Sequence, residues 1–124
     1  MALTDIQAAL RIYLDVMYDC DMEKFDQIFH AACSLFTVQD GALVVRPFEK
    51  YRREMTSRTP PGAVGQSREM ERVVKIDMLS DDLALAQVRV QIHDKLFADN
   101  LNLAKIGGQW MIIAKIYHFI GTAS

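Results

Sequence analysis

Asp99 and His118 are the residue types that trade protons, and the sequence brings them toward one surface. Gly107-Gly108 closes a hairpin between Leu96–Ile106 and Gln109–Ile120, because glycine takes the positive φ of a tight turn at little cost. Side chains alternate faces along a strand, so a turn fixes which residues share a face. With this turn, Leu103 pairs with Ile112, Asp99 with Ile116 and Phe97 with His118. If Asp94-Lys95 is the preceding turn, Val90 pairs with Asp99, Val88 with Leu101 and Ile92 with Phe97. One face then collects Ala86, Val88, Val90, Ile92, Phe97, Leu101, Leu103, Trp110, Ile112, Ala114 and Ile116, interrupted only by Asp99 and His118. Lys115 and Tyr117 fall on the opposite face with Gln87, Arg89, Gln91, Asn100 and Asn102. Carried back through Ser80–Asp82, the register puts Met70, Arg72, Val74, Ile76 and Met78 inside as well, unless a bulge intervenes.

A carboxylate on an apolar face must be neutral, or paired with a cation or hydroxyl. Tyr13, Arg72 and His118 are the candidate partners of Asp99. A histidine beside a carboxylate can be oriented as a general base. Either residue can equally be a satisfied polar group of the core or the cone mouth. Tyr13, Met17, Phe36, Tyr51, Met55, Met70 and Trp110 add an aromatic and methionine set, mostly core, of the kind that lines an adaptable pocket. Arg46, Lys50, Arg52, Arg53, Arg58 and Arg68 cluster around one helix and the loop after it. If that cluster rims the pocket mouth, it draws in an anion. His30, His93 and His118 stand far apart, without carboxylates at ligand spacing, so no metal site is expected.

The elements that must position these groups read as follows. Thr4 caps a first helix, whose inward stripe is Ile6, Leu10, Tyr13, Leu14 and Met17. Asp19-Cys20-Asp21 interrupts it. A short helix follows with Met22, Phe25, Ile28 and Phe29 inward. Cys33–Val38 and Ala42–Val45 read as strands about an Asp40-Gly41 turn, and Pro47 opens a third helix bearing Phe48, Tyr51 and Met55. Ser57–Gln66 reads as an irregular loop, a candidate lid or plain connector. Long strands then span roughly Arg68–Leu79, Leu83–His93, Leu96–Ile106 and Gln109–Ile120. Helices followed by a run of long strands indicate α+β, with a curved antiparallel sheet wrapped around three N-terminal helices.

The 124 residues suit one domain, 1–124. A net charge of −2 excludes a basic nucleic-acid surface. No run is long and apolar enough to span a membrane, and MALTDIQAAL lacks the pattern of a signal peptide. A cytoplasmic location is expected. Cys20 and Cys33 read as small core thiols, not a disulfide or a metal pair.

The order YLDVMYDCDMEKFDQIFHAACSLF, DGALVVRPFEKY and FADNLNLAKIGGQWMIIAKIYHF resembles the nuclear transport factor 2-like superfamily, also called the ketosteroid-isomerase or cone-shaped α+β fold. Within it the chain is similar to the "Putative lumazine-binding" subgroup and, more loosely, to SnoaL-like proteins. The resemblance spans essentially the whole chain and implies a cone with an apolar pocket. It places Asp99 and Tyr13 where the isomerase keeps the Asp and Tyr that donate to a developing oxyanion. The isomerase's general-base Asp falls near Thr37, which cannot do that work.

The expectation is a small-molecule-binding domain without a cofactor, holding a small apolar or aromatic molecule. Tyr13, Met17, Phe36, Tyr51, Met55, Arg72, Val90, Phe97, Asp99, Trp110 and His118 form its pocket. One alternative is an isomerase, dehydratase or cyclase with His118 as base, Asp99 as its orienter and Tyr13 as electrophile. The other is a non-catalytic dimerisation module whose cavity is vestigial. The mixed polar and apolar outer sheet face suits a homodimer.

Overall fold

The structure is a computed structural model that describes residues 2–123. Helix α1 (Ala2–Asp19) buries Ile6, Leu10, Tyr13 and Met17 completely or nearly so, as its spacing requires. Cys20 follows at a φ of 52°. Asp21 then caps α2 (Met22–Ile28), its carboxylate accepting from the N–H groups of Glu23 and Lys24. Strands β1 (Phe29–Gln39) and β2 (Ala42–Pro47) turn at Asp40-Gly41, both at positive φ. Helix α3 (Phe48–Ser57) buries Tyr51 and Met55.

The segment expected to be irregular contains a 3₁₀ turn, Pro61–Val64. Pro61 is buried, Gly62 abuts the Tyr18 ring, and the Tyr18 hydroxyl donates to the Gln66 carbonyl. The prolines that bar longer helix still permit a single turn against α1.

Strands β3 (Arg72–Met78), β4 (Leu83–Ile92), β5 (Lys95–Ile106) and β6 (Gln109–Thr122) complete one curved sheet in the order β2-β1-β6-β5-β4-β3. The expected antiparallel arrangement holds except at β1 and β6, which run parallel. No tight turn joins those two strands, so none dictates their direction.

Three departures from the expected registers shape the site. The β4–β5 turn is His93-Asp94, with His93 at a φ of 55° and Ile92 opposite Lys95. Val88 therefore faces Asp99, and Val90 faces Phe97. Each pairing slides by an even step, so the inward set survives. In β6, Leu103 pairs with Ile112 but Asn102 with Ala114. Ile113 is thus an extra, bulged residue, and the side chains from Ala114 to Phe119 change face, up to a second irregularity at Ile120. In β3, Val74 is bulged between the Val73–Val88 and Lys75–Gln87 pairs.

One end of the cone is a closed apolar core of Ile6, Leu10, Ala86, Leu101, Leu103 and Ile112. The other end opens between α3, the β4–β5 turn and the ends of β5 and β6. Among the described residues, no helix is long and apolar enough to cross a membrane.

Candidate functional site

Asp99 stands at the inner end of the opening and is 1% exposed. Its Oδ2 accepts a hydrogen bond from the Tyr13 hydroxyl at 2.5 Å and lies 3.6 Å from the Lys115 ammonium. Lys115 Nζ donates to the Tyr51 hydroxyl at 3.3 Å and lies 3.9 Å from Met17 Sδ. The rings of Tyr13, Tyr51 and Tyr117 surround that ammonium, with centroids 5.2, 5.3 and 6.0 Å away. Desolvated cations are held well over aromatic faces, and the carboxylate supplies the counter-charge that a buried ammonium requires.

The electrostatics follow from this packing. Burial, reinforced by the negative charge of Asp99, pushes the Tyr13 hydroxyl well above the ordinary tyrosine value. Burial alone would lower Lys115. Attraction to Asp99 and Tyr51 outweighs it and raises the ammonium above its ordinary value. Tyr13 is therefore a neutral donor and Lys115 a fixed cation at neutral pH.

In front of this cluster lies a cavity of about 420 Å³, lined by Leu35, Arg46, Tyr51, Arg58, Ile92, His93, Asp94, Lys95, Phe97, Asp99, Lys115 and Tyr117. Its size is within the range of small-molecule pockets. Arg46 is tied to the Tyr117 hydroxyl at 2.8 Å and to Glu54 at 3.1 Å. Two buried polar atoms on lining residues have no partner among the described residues, Asp99 Oδ1 and Arg58 Nη1.

Of the residues expected in the pocket, Tyr51, Phe97 and Asp99 line the cavity. Tyr13 reaches it through Asp99, and Met17 through Tyr51 and Lys115. Met55 and Val90 are buried in the core. Four residues are placed elsewhere. His118 is exposed on the convex face opposite Ala98, because the Ile113 bulge inverts the end of β6. It cannot be the base that Asp99 orients. Arg72 is exposed opposite Arg89, because the Val74 bulge turns it out. Phe36 pairs with Val45 and with the exposed Ile116, so it shares the convex face, while its neighbour Leu35 points in. Trp110 is buried at the opposite end, beside Ala9 and Ile28.

Lys115 is the partner that alternation missed. Met111–Ala114 is an unbroken apolar run with no period of two, so the phase of β6 is undefined there. That run is the available signal of the bulge. Arg58 belonged to the basic cluster, and the structure separates it from its neighbours. Arg52 is engaged by Asp26, and Arg68 by Asp15 and Glu71.

The family described as "Putative lumazine-binding" matches residues 2–118. The chain belongs to it, and its fold is that of nuclear transport factor 2-like proteins. Similar solved structures are nuclear transport factor 2-like proteins of unknown function. The one from Silicibacter pomeroyi DSS-3 is 17% identical, covers 94% of each chain and has a TM-score of 0.80. The one from Shewanella baltica OS155 is 22% identical, covers 96% of this chain and 94% of its own, and has a TM-score of 0.79. That from Methylobacillus flagellatus KT is 21% identical, covering 96% and 92%, with a TM-score of 0.79. These likenesses are of fold. No curated protein matches the chain. The six-stranded sheet walls the hollow, and Asp99, Lys115 and Tyr13 cluster at its inner end.

Proposed function

We propose that the protein binds a small, flat, partly apolar molecule in the open half of its cone, against Asp99. The observation that carries this reading is the Asp99 Oδ1 atom, buried on a cavity-lining residue and without a partner. Buried acceptors are rarely left unmet. A ligand O–H or N–H supplies the missing donor, while Leu35, Ile92 and Phe97 offer apolar contact. The family description directs attention to lumazine, whose ring N–H groups suit such an acceptor. The open cavity favours binding over a purely structural role, and an outward His118 removes the base on which the enzymatic alternative relied.

The test is thermal denaturation with a panel of lumazine and other pterins, steroids and aromatic polyketides. At least one member should raise the Tm, and Asp99→Leu should abolish that rise. A panel that leaves the Tm unmoved overturns the reading.

A homodimer through the convex face is the second element of the proposal. Val38, Leu43, Val45 and Ile116 are 67, 66, 45 and 50% exposed there, and Phe36 joins them across the β1–β2 and β1–β6 pairs. Contiguous apolar surface of this kind favours a partner. Sedimentation should give twice the chain mass, and Ile116→Glu should halve it. A wild-type monomer at micromolar concentration would rule the dimer out.

A further inference from the structure

The second orphaned atom says what kind of molecule the pocket selects, granted that it binds one. Arg58 follows α3, its backbone N–H bonded to the Met55 carbonyl. The next residue, Thr59, is tied through its carbonyl to His93 Nε2 at 2.8 Å. The segment carrying Arg58 is thus fastened to both walls of the opening. Nη1 is buried and unpartnered, and among the described residues Arg58 makes no ion pair. Two other cations around the cavity, Arg46 and Lys115, differ in this respect. Arg46 is neutralised by Glu54, and Lys115 by Asp99. Lys95 also lines the cavity and makes no ion pair among the described residues, but it is exposed to solvent.

A neutral apolar occupant would cover Arg58 and Asp99 while satisfying neither, and covering an unpaired charge is costly. A cation would meet Asp99 but oppose Arg58. We propose that the cone selects an organic anion that also carries an O–H or N–H donor: Arg58 Nη1 holds the anionic oxygen, and Asp99 Oδ1 receives the donor. Asp99 acts here as an acceptor, because the Lys115 ammonium and the Tyr13 hydroxyl both address its other oxygen.

Indole carboxylates are suitable probes. They are flat and bicyclic and carry one N–H donor. The 2- and 6-carboxylates place the acid next to that donor and across the ring from it. Calorimetric titration should show at least one acid binding about tenfold or more tightly than its own methyl ester, as expected when a charge-assisted hydrogen bond is lost. Methylating the ring nitrogen of that acid should weaken it several-fold. In Arg58→Gln the acid should lose its advantage while the ester's affinity stays unchanged. Arg58→Lys, which keeps the charge without the fork, should retain part of the preference. Tm values measured on both variants report that the fold is intact, since no protein contact of Nη1 is removed. An ester that binds as well as its acid overturns the anionic class and leaves the pocket reading standing. A preference for the acid that survives Arg58→Gln overturns the assignment of the anionic oxygen to Arg58. If acid, ester and unsubstituted indole all fail to bind, and the wider panel fails too, both readings fall.

Discussion

The two ends of the cone are built from the same strands and are put to opposite uses. At the closed end β5 contributes Leu101 and Leu103, and β6 contributes Ile112, all 0–1% exposed and packed among apolar neighbours. At the open end the same strands contribute Asp99 and Lys115, almost as deeply buried, at 1% and 4% exposure. One residue, Ile113, separates the regimes on β6. Before it, alternation delivers a core. After it, alternation resumes in the other phase and delivers an ammonium, framed by tyrosines, to a carboxylate. Burial by itself therefore does not tell core from site. The unmet atom Asp99 Oδ1 and the hollow before it do.

The comparison can be broken most forcefully at Lys115. Lys115→Met should destabilise the protein by about 3–5 kcal/mol in urea denaturation, because it leaves Asp99 buried without its counter-charge. Adding Asp99→Leu should recover much of that loss. If the single variant behaves like a surface substitution, the ion pair does not hold the open end together. Leu103→Ala probes the other end. It should cost about 2–5 kcal/mol by opening a cavity, while the affinity for any pocket ligand stays unchanged.

Tyr13→Phe should cost about 1.5–3 kcal/mol through the lost bond to a charged acceptor, and it carries a pH signature. The hydroxyl and the Lys115 ammonium are both raised above their ordinary values. The folded state therefore retains protons that the unfolded chain has begun to release. Their contribution is fully present below about pH 10, the ordinary tyrosine value, and is lost as the pH climbs through the raised folded values. Denaturation midpoints should fall along that alkaline limb in the wild type and fall less steeply in Tyr13→Phe. The smallest effect is expected at His118. His118→Ala should change stability by less than about 0.5 kcal/mol, as for other exposed positions, and leave ligand binding untouched. Loss of binding in that variant would mean that the end of β6 is not inverted.

Much of this molecule was legible from residue order. The α1 stripe, the Asp40-Gly41 and Gly107-Gly108 turns and the inward position of Asp99 follow from spacing and from glycine's tolerance of positive φ. Those are local rules, satisfied within a few residues, and they sufficed for the fold and for one acidic group on the concave wall. Tertiary structure alone decided what that acid meets. The bulges at Val74 and Ile113 bend their strands within a long curved sheet, and no pair of neighbouring residues specifies them. Counted from the hairpin turn, each shifts the residues next beyond it on its strand by one face, so Arg72 and His118 left the hollow and Lys115 entered it. Arg58 depends likewise on how α3 and the chain after it settle over the opening, a position set by packing between distant elements.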